Sequence, residues 1–194
     1  MNDLFHKLGE FFLEIIETVV IVLSIFLIVY LFLVQPHQVN GLSMFPTYDN
    51  GDYVLTDKIS YRTGTPKRGD VVVFKAPEAA QCPKGTGCDF IKRVLGVPGD
   101  TIEIKDNGVW VNGSLLPEPY IPPENYTRAG NFTNGRAITL GPDEYFVSGD
   151  NRPHSSDSRA WGPITSAEIV GKVFLRYWPI NSFGLTEHVT YPIP

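Results

Sequence analysis

The chain has 194 residues, 43% of them apolar and 19% charged, with a formal net charge of −5. That length allows one sizeable domain plus an appendage, and that balance excludes wholesale disorder. Lys and Arg are outnumbered by Asp and Glu, 16 to 21, and form no basic stripe, so a phosphate backbone is excluded as a partner.

Residues 18–34 carry no charge over 17 consecutive positions. As a helix they cover about 25 Å, near the lower limit for crossing ~30 Å of hydrocarbon. Phe11 to Ile16 prolong the apolar run, and Glu14 and Glu17 are then expected at the interface or against a partner. A cleavable leader has an apolar core of about 7–15 residues ending in a small-x-small site. Here the run ends Leu-Val-Gln-Pro-His-Gln, so a retained anchor is expected. Lys7 precedes the run and no Lys or Arg follows it until Lys58. The positive-inside rule therefore puts the short N-terminal segment in the cytoplasm. The expected division is an anchor unit, residues 1–35, and an extracytoplasmic domain, residues 36–194.

Pro36 is expected to end the helix. Beyond it come short runs rich in Val, Ile, Phe and Tyr, bounded by turn residues. They predict strands over 37–42, 52–58, 70–75, 89–95, 101–105, 108–112, 136–140, 144–148 and 169–177. Asp106-Asn107-Gly108 is a hairpin signal between two of them. Residues 117–135 are rich in Pro, Asn and Gly and read as a long excursion, and only Ser166–Ile169 suggests a helical turn. The expected fold is a mainly β, barrel-like antiparallel domain behind one transmembrane helix.

Four Gly-Asp dipeptides recur, at 51–52, 69–70, 99–100 and 149–150. The first three lead into strand-like runs, and turn punctuation accounts for them. The fourth leads into Asn-Arg-Pro-His, and that break in pattern suggests a site. Cys82 and Cys88 flank a Pro/Gly-rich stretch. They are either two free thiols or a small disulfide in an oxidising compartment. Neither a metal signature nor a phosphate loop is present, so no cofactor is implied.

Ser43 closes an extended segment and precedes Met-Phe-Pro, a turn that would fix its hydroxyl in place. A nucleophilic serine needs a base. His154, beside an Arg and near an Asp, is the candidate for a Ser-His-Asp arrangement. The other candidate is Lys92, in Asp-Phe-Ile-Lys-Arg-Val. Strand alternation sets Phe90, Lys92 and Val94 on one face and Ile91 and Arg93 on the other. An ammonium between apolar neighbours is costly, and desolvation lowers its pKa towards what a base requires. The competing reading of Lys92 is a residue that snorkels to solvent.

Several separated segments together resemble one family, the bacterial type I signal peptidases with a Ser–Lys dyad. Ser43-Met44-Phe45-Pro46-Thr47 resembles the nucleophile box, followed by Gly51-Asp52-Tyr53-Val54 and Lys67-Arg68-Gly69-Asp70-Val71-Val72-Val73-Phe74. Lys92-Arg93-Val94-Leu95-Gly96-Val97-Pro98-Gly99-Asp100 resembles the box with the general base. Gly149-Asp150-Asn151-Arg152, with Ser155, Asp157, Ser158 and Arg159, resembles the last box.

The resemblance implies a two-lobed β fold with Ser43 as nucleophile and Lys92 as general base. Ser155 would hydrogen-bond Lys92, Asp157 and Arg159 would pair beneath the site, and the Ser43 N–H would serve the oxyanion. A serine that supplies a second oxyanion donor in some members is replaced by Gly41. The implied substrates are exported preproteins with Ala-x-Ala-type signal peptides, bound as a strand between residues 37–42 and 89–92. Val39, Leu42 and Ile91 would line shallow pockets there. The implied setting is the bilayer near the secretion machinery, in a bacterial cytoplasmic (inner) membrane or a thylakoid. Two other readings stay open: a relative that matures one partner or itself, and a membrane-tethered peptide-binding domain without catalysis.

Overall fold

A computed structural model describes residues 2–80, 82 and 88–192. Helix α1 (Asn2–Ile28) continues through a π-helical turn, Val29–Leu33. Its segment His6–Ile28 is long and apolar enough to cross a membrane by length and composition. Every side chain of that segment is exposed, so no protein packs on it. The span thus begins earlier than the charge-free run suggested. It also yields earlier, because the sheet captures the chain at Val34. Strand β1 (Val34–Gln38) pairs antiparallel with β2 (Tyr53–Asp57), and the Lys58 N–H donates to Leu33 O at 3.0 Å. Pro36, expected before the first strand, lies inside it. It lacks an N–H, and β1 is an edge strand where that loss is tolerated.

The remaining elements in chain order are α2 (Ser60–Thr63), β3 (Val71–Lys75), β4 (Asp89–Gly96), β5 (Thr101–Lys105), β6 (Gly108–Val111) and β7 (Ser114–Leu115). Then follow β8 (Ile138–Thr139), β9 (Glu144–Ser148), α3 (Ser158–Trp161), β10 (Ile164–Thr165), β11 (Ile169–Trp178) and β12 (Gly184–Leu185). Each predicted strand has a counterpart. The first is shifted towards the helix and 136–140 shrinks to two residues. The two-residue strands β7, β10 and β12 are too short for a period of two to register in sequence. Ser166–Glu168 forms the expected helical turn, as a 3-10 helix with a capping box from Thr165.

The strands make two sheets. The larger runs β1-β2-β11-β3-β4-β9-β10, with β12 on β11, and the smaller runs β7-β6-β5-β8. The larger path is open, with β1 and β10 at its ends, and no pairing among the described residues closes it into a barrel. Alternation along β3 and β4 sorts side chains onto two faces. Val71, Val73 and Ile91 join Val39, Met44, Val54 and Val173 in one core. Val72, Phe74, Phe90 and Val94 join Val147 and Ile164 in the other. The smaller sheet packs Leu95, Ile102, Val111 and Phe146 into a third core. In the β5–β6 hairpin Asp106 and Asn107 both adopt positive φ, 50° and 61°, as the tight turn demands.

The first three Gly-Asp dipeptides do more than punctuate. Their glycines have φ of +93°, +96° and +87°. Each following carboxylate accepts the N–H three residues back, at Asp49, Lys67 and Val97. Each also meets a cation from a distant strand or loop: Arg176 with Asp52, Lys172 with Asp70, and Arg68 with Asp100. The fourth aspartate, Asp150, is wholly buried. It takes two hydrogen bonds from Arg93, Nε at 2.9 Å and a terminal nitrogen at 2.7 Å, and a third from Thr47 Oγ1 at 2.6 Å. The Tyr120 ring covers the Arg93 guanidinium at 4.2 Å.

Removing one member of such a pair leaves the other charged and buried, which costs about 3–5 kcal/mol. Asp150→Ala is therefore expected to lower the thermal midpoint of the detergent-solubilised chain by roughly 10 °C, read by circular dichroism. An unchanged midpoint would show that the pair does not hold the two segments together.

Candidate active site

Ser43 sits in a turn over residues 41–47 that is fastened from below and from the side. Met44 is fully buried in the core of Val39 and Val54. The Phe45 N–H donates to Leu42 O at 3.2 Å and the Tyr48 N–H to Met44 O at 2.9 Å. Asn151 holds the turn through both its ends: its backbone N–H donates to Ser43 O and its Nδ2 to Leu42 O, each at 3.0 Å. Gly149 allows this approach. A Cβ there would lie 2.4 Å from Ser43 O and 2.3 Å from Ser155 Oγ. Unlike the other three Gly-Asp glycines, it is not among the positive-φ residues. Its lack of a side chain serves close packing, not a turn.

Lys92 reaches this turn from the middle of β4. It is 4% exposed, so it does not snorkel. Nζ donates to Ser43 Oγ at 2.8 Å and to Ile91 O at 2.9 Å, and stands 5.2 Å above the Phe90 ring. Burial pushes its pKa down to about 8, against the opposing pull of the Asp157 and Asp150 carboxylates and with help from Arg159. The charged form is thereby penalised by roughly 3 kcal/mol relative to a free lysine. The pair provides a hydroxyl and, near pH 8, a substantial fraction of neutral amine in hydrogen-bond contact.

The last box supports the pair from beneath. Asp157 is wholly buried, accepts from Arg159 Nε at 2.7 Å, Ser148 Oγ at 2.8 Å and Gly149 N–H at 3.1 Å, and caps α3. Burial pushes its carboxyl up. Arg159, the Ser155 hydroxyl and the Gly149 N–H outweigh burial and hold it below the usual carboxylate range. The expected Asp157–Arg159 pair is thus present.

Ser155 departs from expectation. Its Oγ is buried and completes no hydrogen bond of ordinary geometry, to Lys92 or to any other described residue, although it lies towards Asp157. Ile91 O holds the ammonium where Ser155 was expected to. The Ser-His-Asp alternative is not assembled. His154 is exposed at the cleft rim, and the Asp157 carboxylate is committed to Arg159, Ser148 and Gly149.

The Ser43 N–H has no acceptor among the described residues. Gly41 has φ +100°, and its N–H donates to Asn50 Oδ1 at 2.7 Å. Its backbone donor is therefore engaged, and any side chain there would be strained.

Beside the pair runs a cleft of about 570 Å³. Residues 37–43 form one wall and residues 89–92 the other. The three expected pocket residues all line it, at different depths. Val39 is buried in the core beneath it, Ile91 is half-buried and Leu42 is exposed. Cys82 and Cys88 are joined in a disulfide with Cα atoms 5.8 Å apart, just before β4. Residues 83–87 between them lie outside the described residues.

Asn151, Asp150 and Arg93 carry the positioning, and residue-by-residue reasoning assigned them no role. The available signal was the fourth Gly-Asp leading into Asn-Arg instead of a strand.

The signal peptidase family, peptidase S26, matches residues 12–178. A Staphylococcus aureus signal peptidase IB (strain COL) is 35% identical over 185 residues, covering 88% of this chain and 93% of its own. The same enzyme from strain Mu50 is 37% identical over the same shares. A probable signal peptidase I-2 of Synechocystis is 34% identical over 173 residues, 89% of this chain and 76% of its own. A crystal structure of an Enterococcus faecalis signal peptidase I shares 32% identity, covers 56% of this chain and 96% of its own, and superposes with a TM-score of 0.44.

The burial of Lys92 makes a prediction independent of any reaction. In lysine-labelled protein, the ¹⁵Nζ resonance of Lys92 should titrate with a midpoint about 8, well below the value of about 10.4 for a lysine in a model peptide. A midpoint above 10 would remove the amine from consideration as a base.

Proposed function

The chain belongs to the signal peptidase family, peptidase S26, and from that premise we propose that it cleaves preproteins by acylating Ser43, with Lys92 as general base. Removal of signal peptides is the activity of the family. The observation that carries the mechanism is the 2.8 Å contact between the buried Lys92 Nζ and Ser43 Oγ.

The neutral amine takes the Ser43 proton as Oγ attacks the carbonyl carbon of the signal peptide's last residue. The Ser43 N–H donates to the oxygen on which charge develops. The Lys92 ammonium, still held by Ile91 O, then protonates the leaving amine. The same amine, neutral again, takes a proton from the water that hydrolyses the acyl ester. Asn151 keeps the Ser43 turn in register with Lys92 by gripping both Leu42 O and Ser43 O.

The peptide lies extended in the cleft, with backbone bonds to the walls and small residues at the first and third positions before the scissile bond. Val39, Leu42 and Ile91 line the cleft beside the nucleophile, and in this reading their apolar side chains select small residues there. Helix α1 spans the bilayer with its N-terminal end in the cytoplasm. The domain lies on the opposite side, where the Cys82–Cys88 disulfide persists. Trp178, Ile180, Phe183 and Leu185 are at least half exposed and suit contact with lipid headgroups. This reading places the site beside the membrane, where a signal peptide leaves the secretion machinery.

In a detergent assay with a purified preprotein, Ser43→Ala and Lys92→Ala should each lose at least about 10³-fold in rate. Undiminished cleavage by either variant would refute the dyad. Because only the neutral amine acts, kcat/KM should rise with pH through about 8 and level off above it. A flat profile between about pH 6 and 9 would exclude a lysine base. Asn151→Ala should lower kcat by about 10- to 100-fold and change KM far less, since it loosens the turn that carries the nucleophile while β1 and β4, which form most of the cleft walls, stay in place. A loss confined to KM would contradict the positioning role.

A further inference from the structure

Away from Ser43, the cleft walls approach one another at a polar pair that takes no part in the chemistry. Strand β1 brings His37 from one wall and β4 brings Asp89 from the other, with His37 Nε2 3.8 Å from Asp89 Oδ2. That distance is too long for a hydrogen bond. The imidazole is anchored at its other nitrogen, Nδ1, which lies 3.0 Å from the hydroxyl of the fully buried Thr56. Nε2 is buried and has no hydrogen-bond partner. Asp89 is 38% exposed along its side chain and the His37 side chain 15%.

A buried polar nitrogen without a partner is rare in folded proteins. Here it lies in the wall of a cleft whose lining includes the apolar side chains of Val39, Leu42, Phe90 and Ile91 and the polar ones of Gln38 and Asn40. We propose that His37 and Asp89 form a cation-accepting subsite for the substrate residue five positions before the scissile bond. With Nδ1–H donating to Thr56, Nε2 presents a lone pair. A donor nitrogen entering from the cleft meets the exposed Asp89 carboxylate first and, once the atoms covering Nε2 shift aside, can bond both groups and bridge the gap between them. Burial keeps the imidazole pKa below its ordinary value, against Asp89 and the Gln35 backbone and with help from Lys58. Burial thus disfavours the imidazolium, so the carboxylate sets the sign of the pair.

The position follows from strand alternation. The first and third substrate residues before the cut share one face and must be small. The next residue on that face is the fifth. On the wall, His37 lies two residues beyond Val39, on the same side of the chain. The subsite rests on the reading that the peptide lies extended in this cleft, and it goes beyond that reading by naming a charge preference.

The test uses the full-length, detergent-solubilised chain and preprotein-derived peptides with Lys, Glu or Ala at the fifth position. A matched set varies the fourth position, whose side chain faces away. The wild type should prefer Lys over Glu at the fifth position by about tenfold in kcat/KM at low salt, and by less than about twofold at the fourth. The fourth-position set removes any general attraction of cations to an acidic protein. Asp89→Asn should shrink the fifth-position ratio to within about twofold, and His37→Phe should lower it too. Each ratio is read within one variant, so a general loss of activity cancels.

Failure to cut the Ala peptide, or equal cutting by Ser43→Ala, would tell against the function proposed above and not against the subsite. Fluorescence anisotropy of the Ser43→Ala protein with the same peptides then tests the subsite by affinity alone, with the same ratios expected. Equal affinity for Lys and Glu peptides, a ratio unchanged in Asp89→Asn, or an equal ratio at the fourth position would overturn the subsite.

Discussion

The buried ion pair between Arg93 and Asp150 is the contact on which the site depends. Arg93 is next to Lys92 on β4, and Asp150 follows β9 and precedes Asn151. Thr47, four residues after the nucleophile, hydrogen-bonds the same carboxylate. One carboxylate thus joins the three segments that carry Ser43, Lys92 and the support beneath them. The pair is costly to desolvate and adds little net stability over an apolar replacement. Its value lies in geometry, since a bidentate guanidinium–carboxylate contact fixes distance and orientation together. Single-residue slips of β4 would carry Arg93 away from Asp150 and turn Lys92 to the other face.

The chemistry of Lys92 follows from that frame. A lysine in the middle of a central strand is almost wholly covered, so its amine is largely desolvated and its pKa falls. The carboxylates nearest to it would reverse this if they were free. Both are committed, Asp150 to Arg93 and Asp157 to Arg159, so much of their charge is neutralised by a guanidinium. The second pair also shapes the floor of the site, because Asp157 caps α3 and accepts the Gly149 N–H. Balanced pairs on both sides let a buried amine approach neutrality near physiological pH.

The cleft extends the same logic to recognition. Its walls are an edge strand with the turn that follows it, and the first half of β4. Their chemistry grades from hydroxyl and amine at Ser43, through apolar side chains, to the His37–Asp89 pair. The disulfide before β4 ties the chain at the outer end of the second wall. The anchor helix runs directly into the first wall, since β1 starts one residue after the π-turn ends. The first cleft wall and the apolar helix are therefore parts of one continuous segment.

The local features were legible in the sequence, because each depends on a short stretch of chain. The charge-free run marked the helix, Val- and Ile-rich runs bounded by glycine and aspartate marked the strands, and alternation put Lys92 among apolar neighbours. The boxes around Ser43, Lys92 and Gly149 pointed to the site. Distances between segments far apart in the chain were not legible, because a period of two says which face a side chain takes and not what stands opposite. Only the tertiary structure decided that Ile91 O, and not Ser155, holds the Lys92 amine, and that Asn151 grips the Ser43 turn. It also showed that Gly149 is glycine for close approach, while the glycines of the other three Gly-Asp pairs serve turns. Local pattern determined which residues could do the chemistry, and the packing of β4 against the last box determined which of them touch.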